Sequence, residues 1–279
     1  MKITIPVEET IKKRHSVRTY EEKKLSPEDK EKLMTYIDSL TNPFGEKVNF
    51  HIIEKGLEPN GEKLGTYGVI KGANSFLGVS VANTEFGLEA VGYEFENLIL
   101  YATHMGLGTV WLAATFSRDN FASAMGVKQN DLFPAISPIG YPATKKSLQE
   151  SIMRKTMKSN QRKPWNALFF NNNFSTPLTE QEAGSYAIPL EMLRLSPSAT
   201  NAQPWRVLKE GNIYHFYEMH NPNTSEDEKL IKRVDLGIAL SHFHQTTLER
   251  NLSGNFEKLS QQSIEIPQNI HYIISWISE

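Results

Sequence analysis

Apolar positions recur along this chain in two rhythms, and the switches between them predict its elements. Leu88, Val91, Phe95, Leu98 and the pair Tyr101–Ala102 hold one helical stripe. They predict a helix from about Thr84 to Met105, with Gly106 as its C-terminal cap. Val48–Glu54 alternates and is rich in β-formers, while Ser75–Ala82, Gly108–Ala113 and Ala135–Tyr141 are short and apolar; all four read as strands. Ser26-Pro27-Glu28-Asp29 supplies a cap, a first-turn proline and early acids, so a helix spans about Pro27–Leu40. Val7–Lys13 places acids before lysines, the order a helix dipole favours. Ser117 starts a helix to about Met125, and the basic stretch Ser147–Lys163 reads as helical.

The order of these elements then starts again. Arg162-Lys163-Pro164-Trp165-Asn166 falls where Arg14–Arg18 fell, and Leu178-Thr179-Glu180-Gln181-Glu182 answers Leu25-Ser26-Pro27-Glu28-Asp29. A helix to about Leu195 answers the one ending near Leu40, and the strand Trp205–Lys209 answers Val48–Glu54. Leu236-Gly237-Ile238 matches Phe86-Gly87-Leu88 at the opening of a long helix. Gly254 matches Gly106 at its end, two residues short. The last strand, His271–Ile277, takes the place of Ala135–Tyr141. Shared order over a whole chain changes the fold class expected. The expectation is an α+β protein of two tandem related units, residues 1–158 and a trimmed repeat over 159–279.

Composition narrows the chemistry. Thirty basic against 32 acidic residues give a formal net charge of −2, which argues against a protein built to coat nucleic acid or an anionic membrane. With no cysteine, disulfides, thiol nucleophiles and cysteine-ligated metals are excluded. Met1–Glu9 carries charge where a signal peptide would be apolar, and no apolar run approaches the roughly 20 residues of a membrane span, so a cytoplasmic protein is expected. G-x-G-x-x-G after a strand, a Walker loop and a G-x-S-x-G elbow are all missing. His242 and His244 stand two apart on a helix, whereas helical metal pairs stand three or four apart; they read as core-edge or surface residues, and no metal is expected. Trp165, Trp205 and Trp276 read as core.

Two segments concentrate donors. Arg14-His15-Ser16-Val17-Arg18 sets two guanidinium forks, an imidazole and a hydroxyl within five residues, the donor set a phosphate takes. A solvated basic loop is the bland alternative. Ser196-Pro197-Ser198-Ala199-Thr200-Asn201-Ala202-Gln203-Pro204-Trp205 lies between a helix and a strand. Its polar side chains could simply turn the chain. Bounded by prolines, they also suit the edge of a flat heterocycle rich in nitrogen and carbonyl oxygen.

Together the two segments resemble the nitroreductase family of FMN-dependent flavoenzymes, with its Arg-x-Ser-x-Arg/Lys opening and its Pro-Ser-x-x-Asn-x-Gln-Pro-Trp loop. Gly106-Leu107-Gly108-Thr109-Val110-Trp111 and Ile139-Gly140-Tyr141-Pro142 resemble the family's later markers. The second half resembles a subgroup in which two units are fused in one chain.

The resemblance implies a cofactor and a site. In the family each flavin lies between two intertwined subunits, and here the two halves of one chain would mimic that dimer. Only the first half carries the opening motif. Its own loop, Ser39-Leu40-Thr41-Asn42-Pro43-Phe44, has lost the pattern that the second half keeps. Crossing the halves therefore gives one complete site, hence one FMN per chain and a monomer. By the same resemblance, Arg14 and Ser16 would hold the phosphate, His15 would line the ribityl side, and Arg18 would face the pyrimidine edge. Arg154, with Lys155 as the alternative, would complete the phosphate site. Pro197, Ser198, Asn201 and Gln203 would reach the flavin from the second half, and backbone amides near Ala113 and Ala114 would approach N5 and O4. The implied reaction takes hydride from NADH or NADPH and delivers it to a small acceptor such as a nitroaromatic or a quinone. No protein side chain is required as acid or base. Two alternatives stay open: dehalogenase-type flavin chemistry on the same scaffold, and a flavin- or ligand-binding protein without turnover.

Overall fold

Ser26 and Ser225 each open a helix by accepting a backbone N–H three residues on, from Asp29 at 3.0 Å and from Glu228 at 3.3 Å. Both helices belong to a computed structural model that describes residues 5–55, 64–144, 161–260 and 264–279. Its contacts divide the chain into a contiguous unit, Lys12–Asn160, and a composite unit of the residues up to Ile11 with Gln161–Glu279. Helix α1 (Val7–Lys13) crosses that division. The sequence sets a boundary near residue 158; the contacts group the residues up to Ile11 with Gln161–Glu279. A specific bond explains why. The Glu249 carboxylate accepts the Val7 and Glu8 amides at 2.7 and 2.9 Å, satisfying orphan donors at the positive end of α1.

In the contiguous unit, Pro27 at the first turn and the Ser26 cap set α2 (Pro27–Ser39), which buries Leu33. Strands β1 (Val48–Glu54), β2 (Ser75–Ala82), β3 (Gly108–Thr109) and β4 (Asp131–Gly140) form a sheet of order β1-β2-β4-β3, antiparallel throughout. Phe50 pairs with Val79, and Val79 with Ala135, so the central strand is buried on both faces. The expected strand Gly108–Ala113 is shorter: pairing lapses after Thr109 and returns only as a bridge between Leu112 and Ile136. Helix α3 (Gly87–His104) begins three residues later than expected and ends where Gly106 takes φ +81°, a left-handed turn that glycine adopts without strain. α3 is buried nearly all round and carries three buried acids, Glu89, Glu94 and Glu96. α4 (Arg118–Ala124) follows from Ser117 and sends Phe121 into a cluster with Phe76, Phe116 and Phe133.

The composite unit holds a sheet of six strands in the order β6-β5-β7-β8-β10-β9. These are β5 (Phe169–Asn171), β6 (Asn173–Pro177), β7 (Trp205–Glu210), β8 (Ile213–Met219), β9 (Gly254–Glu257) and β10 (Ile270–Ser278). β5 and β7 run parallel, the other neighbours antiparallel. The helix expected to run to Leu195 is broken into α5 (Glu180–Ala183), a 3-10 turn at Gly184–Tyr186 and α6 (Ala187–Arg194), because Gly184 takes φ +58°. The long helix α7 (Glu226–Glu249) opens ten residues before Leu236-Gly237-Ile238, at a capping box of Ser225 and Glu228. Gly254 is the first residue of β9 and not a helix end, since a Cβ there would meet the Trp276 ring 2.6 Å away. Trp205, Trp276, Phe216 and Phe243 fill the core; Trp165 is only half-buried. His242 is fully buried and its Nδ1 donates to Met192 O at 3.0 Å, so it is core and not core-edge. Among the described residues no cluster of acids and histidines suits a metal, and no helix is long and apolar enough to cross a membrane.

Candidate functional site

Leaving α1, the Arg14–Arg18 segment runs alongside β3. Ser16 bridges Thr109 in parallel, and the Val17 amide donates to Thr109 O at 2.9 Å. Gly108 makes this approach possible: a Cβ there would stand 2.8 Å from Val17 Cγ1. The glycine of the Gly-Leu-Gly run thus seats the basic segment on the sheet edge. Farther along, the Tyr20 amide donates to Lys71 O, and the Lys71 amide to Arg18 O, each at 2.9 Å.

The side chains divide. That of Arg14 is buried, with Nε 3.7 Å from Glu96 Oε1 and no hydrogen bond on that nitrogen. The other carboxylate oxygen of Glu96 accepts the Trp111 indole N–H at 2.7 Å. Burial pulls the Arg14 pKa down, and the Glu96 charge opposes that. His15 is exposed, with Nδ1 3.2 Å from Lys13 O; Ser16 and Arg18 are half-buried. Ala113 is half-buried and its carbonyl accepts from Arg118 at 2.8 Å, while Ala114 is exposed. Arg154 and Lys155, and most of the expected basic helix, lie outside the described residues; Gln161–Lys163 is irregular.

In the composite unit the loop before β7 is held in an unusual backbone. Thr200, Asn201 and Gln203 take φ of 51°, 57° and 50°. Each left-handed non-glycine residue costs on the order of 1–2 kcal/mol, so outside bonds must fix the loop. Several do. The Gln203 amide donates to Ser198 Oγ at 2.9 Å, and the Ala199 amide lies 3.0 and 3.2 Å from the two oxygens of Asp235 on α7. Arg206 donates to Gln203 O at 3.2 Å. The segment that replaces the opening motif in this half closes over the loop's side chains. Lys163 N donates to Gln203 Oε1 at 2.7 Å, and Asn201 Nδ2 donates to Gln161 O at 2.9 Å. Arg162 Nη1 reaches Asn201 Oδ1 at 3.4 Å, and Lys163 Nζ donates to Ala202 O at 2.8 Å. Burial, with the Arg206 charge adding, pushes the Lys163 ammonium down to about 8.

The loop of the first half is tied differently. Asn42 Oδ1 accepts the Phe44 and Glu46 amides at 3.0 and 3.3 Å, and its Nδ2 donates to Glu46 O and to Glu94 Oε1 at 2.7 and 2.6 Å. Those four bonds use the whole capacity of a side-chain amide.

The family model described as "Putative TM nitroreductase" matches residues 6–247. The chain belongs to this nitroreductase family. A solved "putative nitroreductase" from Thermotoga maritima is similar over 99% of this chain and 95% of its own, with 21% identity and a TM-score of 0.63. That likeness shows the nitroreductase-like α+β fold expected from the sequence. A "Nitroreductase with Bound FMN" from Bacteroides fragilis is similar over 52% of this chain and 92% of its own, at 19% identity and a TM-score of 0.42. A comparison with curated proteins found no match.

Within this nitroreductase-family oxidoreductase, the motifs mark the two donor segments but not what anchors them. Glu96 and Asp235 are the anchors, and each has a signal: an acid inside an otherwise apolar stretch, Phe95-Glu96-Asn97-Leu98 and Val234-Asp235-Leu236. The role of Gln161–Lys163 has none, because it depends on a partner about 40 residues away in sequence.

Proposed function

We propose that this nitroreductase-family chain is an FMN enzyme that binds one flavin. FMN, when bound, supplies hydride transfer between NADH or NADPH and a small acceptor such as a nitroaromatic or a quinone. Arg14 and Ser16 hold its phosphate together with Arg154, His15 lines the ribityl side, and Arg18 faces the pyrimidine edge, where a fixed cation stabilises negative charge. The amides at Ala113 and Ala114 serve the ring's reactive edge. Pro197, Ser198, Asn201 and Gln203 bound the ring.

The donor chemistry fits. The Arg14 Nε is buried without a hydrogen bond, the Ser198 hydroxyl accepts from Gln203 and keeps its own proton to donate, and Gln203 Oε1 has a second lone pair. The observation that carries the single site is Asn42. Its amide is spent on its own loop and on Glu94, which leaves that side chain nothing to offer a flavin edge. Proton delivery to the reduced product falls to solvent, so no side chain is assigned as acid or base.

A flavin-binding protein without turnover is the competing reading, and Glu96, which already balances the Arg14 charge, weakens the pull on a phosphate under both. Visible absorption after FMN loading and gel filtration tests both readings. About one flavin retained per chain, bleached by NADH or NADPH, supports the enzyme. Retention without bleaching supports the binder, and two flavins per chain refute the single site.

A further inference from the structure

Asp235 is an acid where the helix pattern asks for none. It sits in the apolar run Val234-Asp235-Leu236-Gly237-Ile238 of α7, only 3% exposed. The charges acting on it are Glu218 of β8, which repels, and Lys232 of its own helix, which attracts. Its carboxyl meets the backbone: both oxygens lie within 3.2 Å of the Ala199 amide. Ala199 opens the turn that contains left-handed Thr200 and Asn201, and the next bond along, from the Gln203 amide to Ser198 Oγ, closes it.

The other unit repeats the arrangement by different means. There Glu94 of α3 accepts from Asn42 at 2.6 Å, so the long helix again lends a buried carboxyl to the loop. The two acids do not correspond in the repeat: Glu94 follows Gly87 by seven residues, and Asp235 precedes Gly237 by two. The same kind of tether occurs in each unit, but in the composite unit it grips backbone.

We propose that Asp235 is a positioning residue: by fixing the Ala199 amide it sets the left-handed turn that presents Ser198 and Gln203 to the flavin. This rests on the flavin reading, and it extends that reading to a residue outside both motifs. A neutral oxygen acceptor suffices for the bond, which separates it from a role that needs the charge or only the volume.

The test compares wild type, Asp235→Asn and Asp235→Ala as full chains. FMN dissociation constants are read by fluorescence titration, and amide hydrogen exchange is read on the peptide spanning Ser196–Pro204. Asn keeps a carbonyl oxygen and Ala keeps none. Asp235→Ala should weaken FMN about tenfold or more and speed exchange in that peptide by a similar factor, while Asp235→Asn stays within about threefold of wild type in both. An Asn variant as impaired as the Ala variant, or an Ala variant with wild-type exchange in the loop, overturns the proposal. Should Asp235→Ala fail to fold, Asp235→Val fills the volume without an acceptor and takes its place. If wild type retains no FMN, the flavin reading fails, and the exchange data alone decide whether Asp235 sets the loop.

Discussion

Arg14 Nε stands 3.7 Å from Glu96 Oε1, and the glutamate is wholly buried. Removing one member strands the other. Arg14→Ala should cost about 3 kcal/mol of stability, and Glu96→Gln in the same chain should recover most of it, measured by urea unfolding. FMN affinity should behave differently, staying weaker by about 1.5–3 kcal/mol in the double variant because the phosphate partner is still missing. A double variant that binds FMN like wild type would reduce Arg14 to a structural ion pair.

Asn42 and Asn201 separate the two loops. Asn42→Ala breaks four bonds inside its unit and should cost about 1–3 kcal/mol of stability while leaving FMN affinity alone. Asn201→Ala should weaken FMN. Isothermal titration of both variants checks this, and the opposite pattern would exchange the roles of the loops.

Burial sets a pH dependence with opposite signs in the two units. It pushes Glu94 from 4.5 up to about 7, against the Asn42 hydrogen bond, and pulls His244 from 6.5 down to about 4. Between about pH 4.5 and 7 the folded chain holds a proton on Glu94 that the unfolded chain has released, so stability falls as pH rises through that window. Between 6.5 and about 4 the unfolded chain binds a proton that folded His244 refuses, so stability falls as pH falls. Urea midpoints across this range should show the advantage of Glu94→Gln over wild type growing towards pH 7. The advantage of His244→Phe should grow towards pH 4. Each reaches roughly 3 kcal/mol. Flat differences would mean that neither group is as desolvated as its burial implies.

Gly108 seats the basic segment on β3, so Gly108→Ala should act at a distance. The new methyl would press on Val17 and shift Ser16, weakening FMN several-fold and costing about 1–3 kcal/mol of stability. Val17→Ala in the same chain makes room, and its failure to restore binding would place the fault elsewhere.

Strands β1 and β2 and helix α1 have the limits expected from sequence, because alternation, an apolar run and a charge gradient are local signals. The start of α7 differs from expectation although Ser225 and Glu228 spell a capping box. Matching Gly237 to Gly87 sets that start ten residues too far along. The donor segments are legible as motifs; how their donors are already committed is not. That depends on Asp235, 36 residues from Ala199, and on Glu94, 52 residues from Asn42, and such pairings exist only once the chain has folded.

The bond from Val7 to Glu249 joins residues 242 apart, with the whole contiguous unit inserted between them. At about 5–20 residues per second, the ribosome releases Val7 roughly 10–50 s before it releases Glu249. The inserted unit has all of its own strands in hand long before then and can fold on the way. Val7 and Ile11 must wait, apolar and without the helix end that will cap them. Val7 and Ile11 therefore wait longest for their partner, and during synthesis that wait leaves them open to a chaperone or a protease.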